Sequence, residues 1–155
     1  MTGTQDVPNI IAPPPLVYVG GLILGLILGA LFSTPFLPGG LTWTVGLPLI
    51  ALGVVLLATA FRAFRRAGTS PDPGEPTKRV VTDGPFRFTR NPIYLGFTLI
   101  YLGITVALSS LGALLLLLPA LAIIDRGVIV REERYLARRF GDKYLRYKTR
   151  VRRWL

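Results

Sequence analysis

The sequence predicts an all-α integral membrane protein with about four transmembrane helices and amphipathic cytoplasmic helices at its C-terminal end. Three observations carry that expectation. Hydrophobic residues fill 51% of the 155 positions and mean hydropathy is +0.52, too apolar for a soluble globule of this size. The apolar residues are gathered into long uncharged runs. All 18 Lys and Arg residues lie at or after Arg62.

Residues 1–15 form a polar, then proline-rich tail ending in Pro13-Pro14-Pro15, to which no function is assigned. Met1 to Leu16 has no basic stretch, so a secretory signal peptide is not expected. Leu16 to Phe32 and Thr42 to Phe61 are the first two uncharged runs, and residues 16–66 make a first transmembrane pair. Each run is close to the roughly 20 residues that cross a hydrocarbon core of about 30 Å as a helix. The connection Ser33 to Leu41, with Pro35, Pro38, Gly39 and Gly40, is an outer turn, and Trp43 suits an interfacial anchor. Gly21, Gly25 and Gly29 recur every fourth residue and share one helix face, where small residues let a neighbouring backbone approach. Packing inside the monomer is favoured for that face over a homodimer through the same three glycines.

Residues 67–91 form a cytoplasmic loop. Arg62, Arg65 and Arg66 just before it can reach lipid headgroups, and Ala67 to Thr77, rich in Gly, Pro, Ser and acids, is the candidate hinge or lid. Asn91-Pro92 reads as a helix start, Asn as N-cap and Pro at the first helical position. The free N–H groups of that first turn suit an anionic group, and Gly96 would let a ligand press against the backbone. Ile93 to Ile124 is a run of 32 uncharged residues, too long for one span. Ser109-Ser110 and Gly112 divide it into a hairpin, residues 92–125.

Residues 126–155 complete the chain on the cytoplasmic side. Val128 to Phe140 is amphipathic, Gly141 stops that helix, and Asp142 is placed to cap a short helix bearing Tyr144, Tyr147 and Val151. By the positive-inside rule the 62–90 loop and the tail after Asp125 face the cytoplasm, which puts both termini there, in the cell's inner membrane. The net charge of +10 then belongs to one face, and its expected partner is anionic lipid rather than nucleic acid.

The chain has no Cys and no His. That excludes a disulfide, a thiol nucleophile, a thiolate or imidazole metal site and Ser-His hydrolysis; no metal is expected. Chemistry is left to carboxylates, Tyr, Arg and backbone groups. An amphipathic tail lying on the membrane explains most of the arginines. It does not explain adjacent Glu132 and Glu133 near an anionic face, where acids are repelled unless paired or binding a cation. A hairpin brings its ends together, so residues 84–96 and 131–144 meet at one membrane face.

Those two segments carry a pattern: Gly84-Pro85-Phe86, Arg90-Asn91-Pro92-Ile93-Tyr94-Leu95-Gly96, the hairpin, Glu132-Glu133-Arg134-Tyr135-Leu136, then Phe140-Gly141-Asp142-Lys143-Tyr144-Leu145-Arg146-Tyr147 and a basic, aromatic end at Val151-Arg152-Arg153-Trp154-Leu155. It resembles the isoprenylcysteine carboxyl methyltransferase family and its bacterial relatives, which share motifs with phospholipid methyltransferases. The resemblance implies a membrane enzyme that binds S-adenosylmethionine at the cytoplasmic ends of the last two helices. It makes Arg90, Asn91 and Glu132 the catalytic candidates. Cofactor binding falls to Glu132 and Glu133 for the amino group or ribose hydroxyls, and to Arg90 or the N–H groups near Tyr94 for the carboxylate. Tyr94, Tyr135, Phe140 and Tyr144 become the adenine wall, with Leu95 and Gly96 beside them.

Eukaryotic members of that family carry His where this chain has Asn91, so a titrating ring is absent there. The expected acceptor is a lipidic or amphipathic molecule offering a carboxylate, amine or thiol. No Gly-rich fingerprint of a soluble Rossmann-type enzyme occurs. Two other readings are weighed: a non-catalytic scaffold whose basic tail binds lipid, and a sterol-reductase-like nicotinamide enzyme, for which the chain is short.

Overall fold

The computed structural model describes residues 7–32 and 35–155. Among these there are helices and no strands. The long helices are α1 (Pro14–Phe32), α2 (Gly39–Ala67), α3 (Pro92–Ala107) and α4 (Leu111–Ile123), followed by α5 (Val130–Phe140) and α6 (Asp142–Arg150). Three helices are long and apolar enough to span a membrane, and α3, with 16 residues, is a shorter apolar one. At 1.5 Å per residue α3 is about 24 Å long, a few ångströms short of a typical hydrocarbon core.

Antiparallel pairing organises the bundle: α2 packs along α3, and α1 along α4. In lipid there is no hydrophobic drive between apolar helices, so close backbone approach matters more. Glycines provide it in both pairs. A Cβ at Gly46 would come 2.7 Å from the Gly103 carbonyl oxygen, and one at Gly53 2.7 Å from that of Gly96. On α1, a Cβ at Gly25 would run into the backbone of Ala113, one at Gly29 into Ser110, and Gly21 faces Ala120 and Tyr101. The face carrying Gly21, Gly25 and Gly29 is therefore filled by α4 within the chain. A homodimer through those glycines would need the same face, which the packing favoured from the sequence occupies within the chain. The outward faces of α1 and α2 expose Leu16, Ile23, Leu31, Leu52 and Val55, as lipid contact requires.

The α3–α4 turn forms at Ser109-Ser110. Ser109 takes a positive φ of 48°, and its Oγ accepts the N–H groups of Phe36 and Leu37, both at 2.9 Å. That bond ties the α1–α2 connection to the α3–α4 turn at one end of the bundle. Ser110 caps α4 by accepting the N–H of Ala113 at 3.3 Å. Ser33 and Thr34 of the expected outer turn, and Met1 to Asp6 of the tail, lie outside the described residues.

At the opposite end, α4 does not stop at Asp125. It runs through a π-helical turn, Ile124–Ile129, straight into α5, so Leu111 to Phe140 is one rod of 30 residues. Pro8 to Ile11 lies across the π turn: Ile11 N–H donates to the Gly127 carbonyl at 3.2 Å, and Arg131 Nη1 donates to the Asn9 carbonyl at 2.8 Å. Gly141, at φ 50°, ends α5 and turns the chain into α6. The expected cap at Asp142 is not made; Gly141 holds the N-cap position and Asp142 is the first helical residue.

Candidate active site

The bundle end that gathers the α2 C-terminus, the α3 N-terminus, α5 and α6 contains a cavity. It encloses about 820 Å³ of space, a figure that includes open solvent. Arg90, Asn91 and Tyr94 line it from the entry to α3, Glu132, Glu133 and Tyr135 from α5, and Tyr144 from α6. The two remote sequence segments thus share one pocket.

Tyr94 Oη donates to Glu132 Oε1 at 2.7 Å. The Tyr94 carbonyl in turn accepts from Tyr18 Oη at 3.1 Å and from Thr98 Oγ1 at 2.8 Å, so the first turn of α3 is held against α1. Tyr135 closes another side: its hydroxyl accepts the Thr77 N–H at 3.1 Å, and Arg139 stands 5.8 Å from its ring centre. Tyr144 is buried, and burial raises its phenol above the ordinary value, with the negative charge of Glu133 adding to the shift. Tyr147 donates to the Phe86 carbonyl at 2.7 Å, pinning α6 to the short 3₁₀ turn Gly84–Arg87.

Glu133 has a different role from Glu132. Its side chain is only 7% exposed and lies 2.8 Å from Arg90 Nη1, 3.4 Å from Lys148 Nζ and 2.9 Å from Arg153 Nη2. Arg153 Nε adds a bond at 3.0 Å, making the Arg153 contact two-pronged. Three cations face its oxygens, so Glu133, expected to hold the amino group or ribose hydroxyls of a cofactor, lines the cavity and is also anchored to the protein's own cations. Arg153 Nη1 reaches both oxygens of Asp125 at 3.3 Å, and Trp154 Nε1 donates to the same carboxylate at 3.2 Å. Hydrogen bonding to Glu133 raises the guanidinium pKa of Arg153 further.

Other expectations need correction. Asn91 occupies the N-cap position of α3 but makes no side-chain cap bond. Its Nδ2 donates to the Arg153 carbonyl at 2.9 Å, which orients the amide toward the C-terminal tail. Gly96 does not face the cavity. It sits about 200° around the helix from Tyr94, where a Cβ would meet Leu57 Cγ of α2 at 2.8 Å. Leu95 and Phe140 are also absent from the cavity wall; Phe140, the last residue of α5, lies one turn beyond Leu136, which does line it.

A sequence profile described as phospholipid methyltransferase matches residues 41–143, well over half of the chain. The chain belongs to the phospholipid methyltransferase family. This phospholipid methyltransferase match runs from α2 to the start of α6 and takes in every cavity-lining residue of α3 and α5. With its membrane-spanning helices, the protein is a membrane methyltransferase. A protein of Haemophilus influenzae described as uncharacterised is 44% identical over 63 residues, 41% of this chain and all of that protein. No solved structure matches the chain.

Asp125 is a site-building residue outside the motif pattern, and Tyr147, Arg153 and Trp154 lie within the pattern but were given no role in the site. One signal was present for Asp125: an acid closing a long apolar helix must find a partner. Arg153 sat among basic residues that read equally well as lipid contacts.

Proposed function

We propose that this phospholipid methyltransferase family member uses S-adenosylmethionine and methylates a lipidic or amphipathic acceptor at the cytoplasmic face of the inner membrane. The observation that carries the reading is one cavity that combines Arg90, Glu132 and four tyrosines, Tyr94, Tyr135, Tyr144 and Tyr147. Its donors and acceptors fit the cofactor. Among the described residues, Arg90 Nε and Nη1 make no hydrogen bond although the side chain is only 9% exposed, Nη1 standing in an ion pair 2.8 Å from Glu133 and Nε facing no carboxylate, which suits a ligand carboxylate. Glu132 carries the Tyr94 hydroxyl bond at the cavity wall, and its carboxylate suits an ammonium or ribose hydroxyls. The tyrosine faces offer an adenine wall.

When bound, the cofactor supplies a methyl group on a sulfonium, open to in-line attack. The chain's own residues orient the partners and exclude water, which can lower such a barrier without an acid or base. A carboxylate or thiolate acceptor needs no proton removed. For an amine, Glu132 is placed to take the proton, with the Tyr94 hydroxyl steadying its Oε1.

Calorimetry of detergent-purified protein with S-adenosylmethionine tests the reading. Saturable micromolar binding, lost in Glu132→Gln, is expected; no heat at millimolar ligand overturns it. Transfer of labelled methyl to membrane lipid extracts then identifies the acceptor class.

A further inference from the structure

Residues 152–154 are stitched to three parts of the site. On the main chain, the Arg152 carbonyl accepts the Arg90 N–H at 2.9 Å, and the Arg153 carbonyl accepts Asn91 Nδ2 at 2.9 Å and Thr89 Oγ1 at 3.0 Å. On the side chain, the Arg153 fork holds Glu133 and its remaining nitrogen spans Asp125. Arg153 therefore bonds both to the side chains that flank Arg90, those of Thr89 and Asn91, and to the carboxylate that pairs with the Arg90 guanidinium.

We propose that Arg153 is a positioning residue: by fixing the plane of Glu133 it fixes the guanidinium of Arg90, so that the unpartnered Nε edge of Arg90 is presented to the carboxylate of bound S-adenosylmethionine. This rests on the cofactor reading given above. The physical reason is geometric. A carboxylate that faces one guanidinium can rotate, whereas a two-pronged contact with a second guanidinium defines its plane. Lys148, 3.4 Å from Glu133 Oε2 and itself well exposed, supplies a point charge and defines no plane. Without the Arg153 fork, Glu133 is free to turn and close on both edges of Arg90, and the edge left for the ligand is lost.

The test compares S-adenosylmethionine with its decarboxylated analogue, which keeps the sulfonium, ammonium and adenine but lacks the carboxylate. Affinities are measured by calorimetry on the full detergent-solubilised chain, with thermal melting to confirm that each variant is folded. The wild type is expected to prefer the carboxylate-bearing ligand by about 10- to 100-fold, the range of a charge-assisted hydrogen bond. Arg153→Lys, which keeps the charge and loses the fork, should reduce that preference to about threefold or less while the analogue's affinity changes little. Lys148→Ala should keep the preference.

An Arg153→Lys variant that retains the full preference overturns the proposal, as does one that weakens both ligands equally, because a merely structural role has that effect. Loss of the preference in Lys148→Ala overturns it too. A wild type that binds both ligands alike removes the Arg90 contact and the proposal with it, yet leaves the cofactor reading standing. A wild type that binds neither removes the cofactor reading itself.

Discussion

Glu132 and Glu133 are neighbours in sequence and opposites in surroundings. Glu133 is held by Arg90, Lys148 and Arg153, while Glu132 meets a tyrosine hydroxyl at the cavity wall. Substitution should separate them. Glu133→Gln leaves the buried Arg90 guanidinium without its counter-charge, a change that typically costs about 3–5 kcal/mol, and should lower the melting temperature measured in detergent. Glu132→Gln should leave that melting temperature nearly unchanged and abolish cofactor binding. Tyr94→Phe removes one 2.7 Å bond; a loss of about 1 kcal/mol in stability is expected, with turnover falling more steeply when the acceptor is an amine. Methyl transfer to a panel of amine and carboxylate acceptors checks the difference.

At the scale of the elements, glycine spacing sets how closely the helices approach. Gly46 and Gly53 on α2 meet Gly103 and Gly96 on α3, the seven-residue steps matching across an antiparallel pair. Gly53→Leu should force α2 and α3 apart and cost about 1–3 kcal/mol, the usual range for overpacking. Gly20→Leu, where a Cβ meets nothing within 4 Å, serves as the control and should be nearly neutral in the same unfolding measurement. Because Tyr94 and Gly96 lie on opposite sides of one helix, separating α2 from α3 should also disturb the cavity. Here Gly96 acts on the site through packing rather than by touching a ligand.

For the whole molecule, orientation follows from charge. The Ser109 turn and the α1–α2 connection lie at one end, and the cavity with the basic segments lies at the other. The absence of cysteine makes single-cysteine labelling clean. In intact cells, Asp72→Cys should be shielded from a membrane-impermeant thiol reagent and labelled only after permeabilisation, whereas Pro38→Cys should react from outside. The reverse pattern would place the cavity on the outer face and remove the proposed supply of cytoplasmic cofactor.

Much of this architecture was already legible in the chain. Long uncharged runs must become helices in a bilayer, since no other local structure satisfies their backbone groups, and the one-sided distribution of Lys and Arg marks one end of the bundle. The Ser109-Ser110 break and the joining of residues 90–94 with 132–144 follow from the same logic, because a hairpin returns to the face it left. Which side chains serve a ligand and which serve the protein was decided only by packing. Gly96 turned to α2, Asn91 gave its amide to the tail, and Glu133 became an anchor because Arg153, twenty residues downstream, folds back beside it. Local sequence dictates a helix and its apolar faces; the orientation of each polar group depends on partners that only the assembled bundle brings within hydrogen-bond reach.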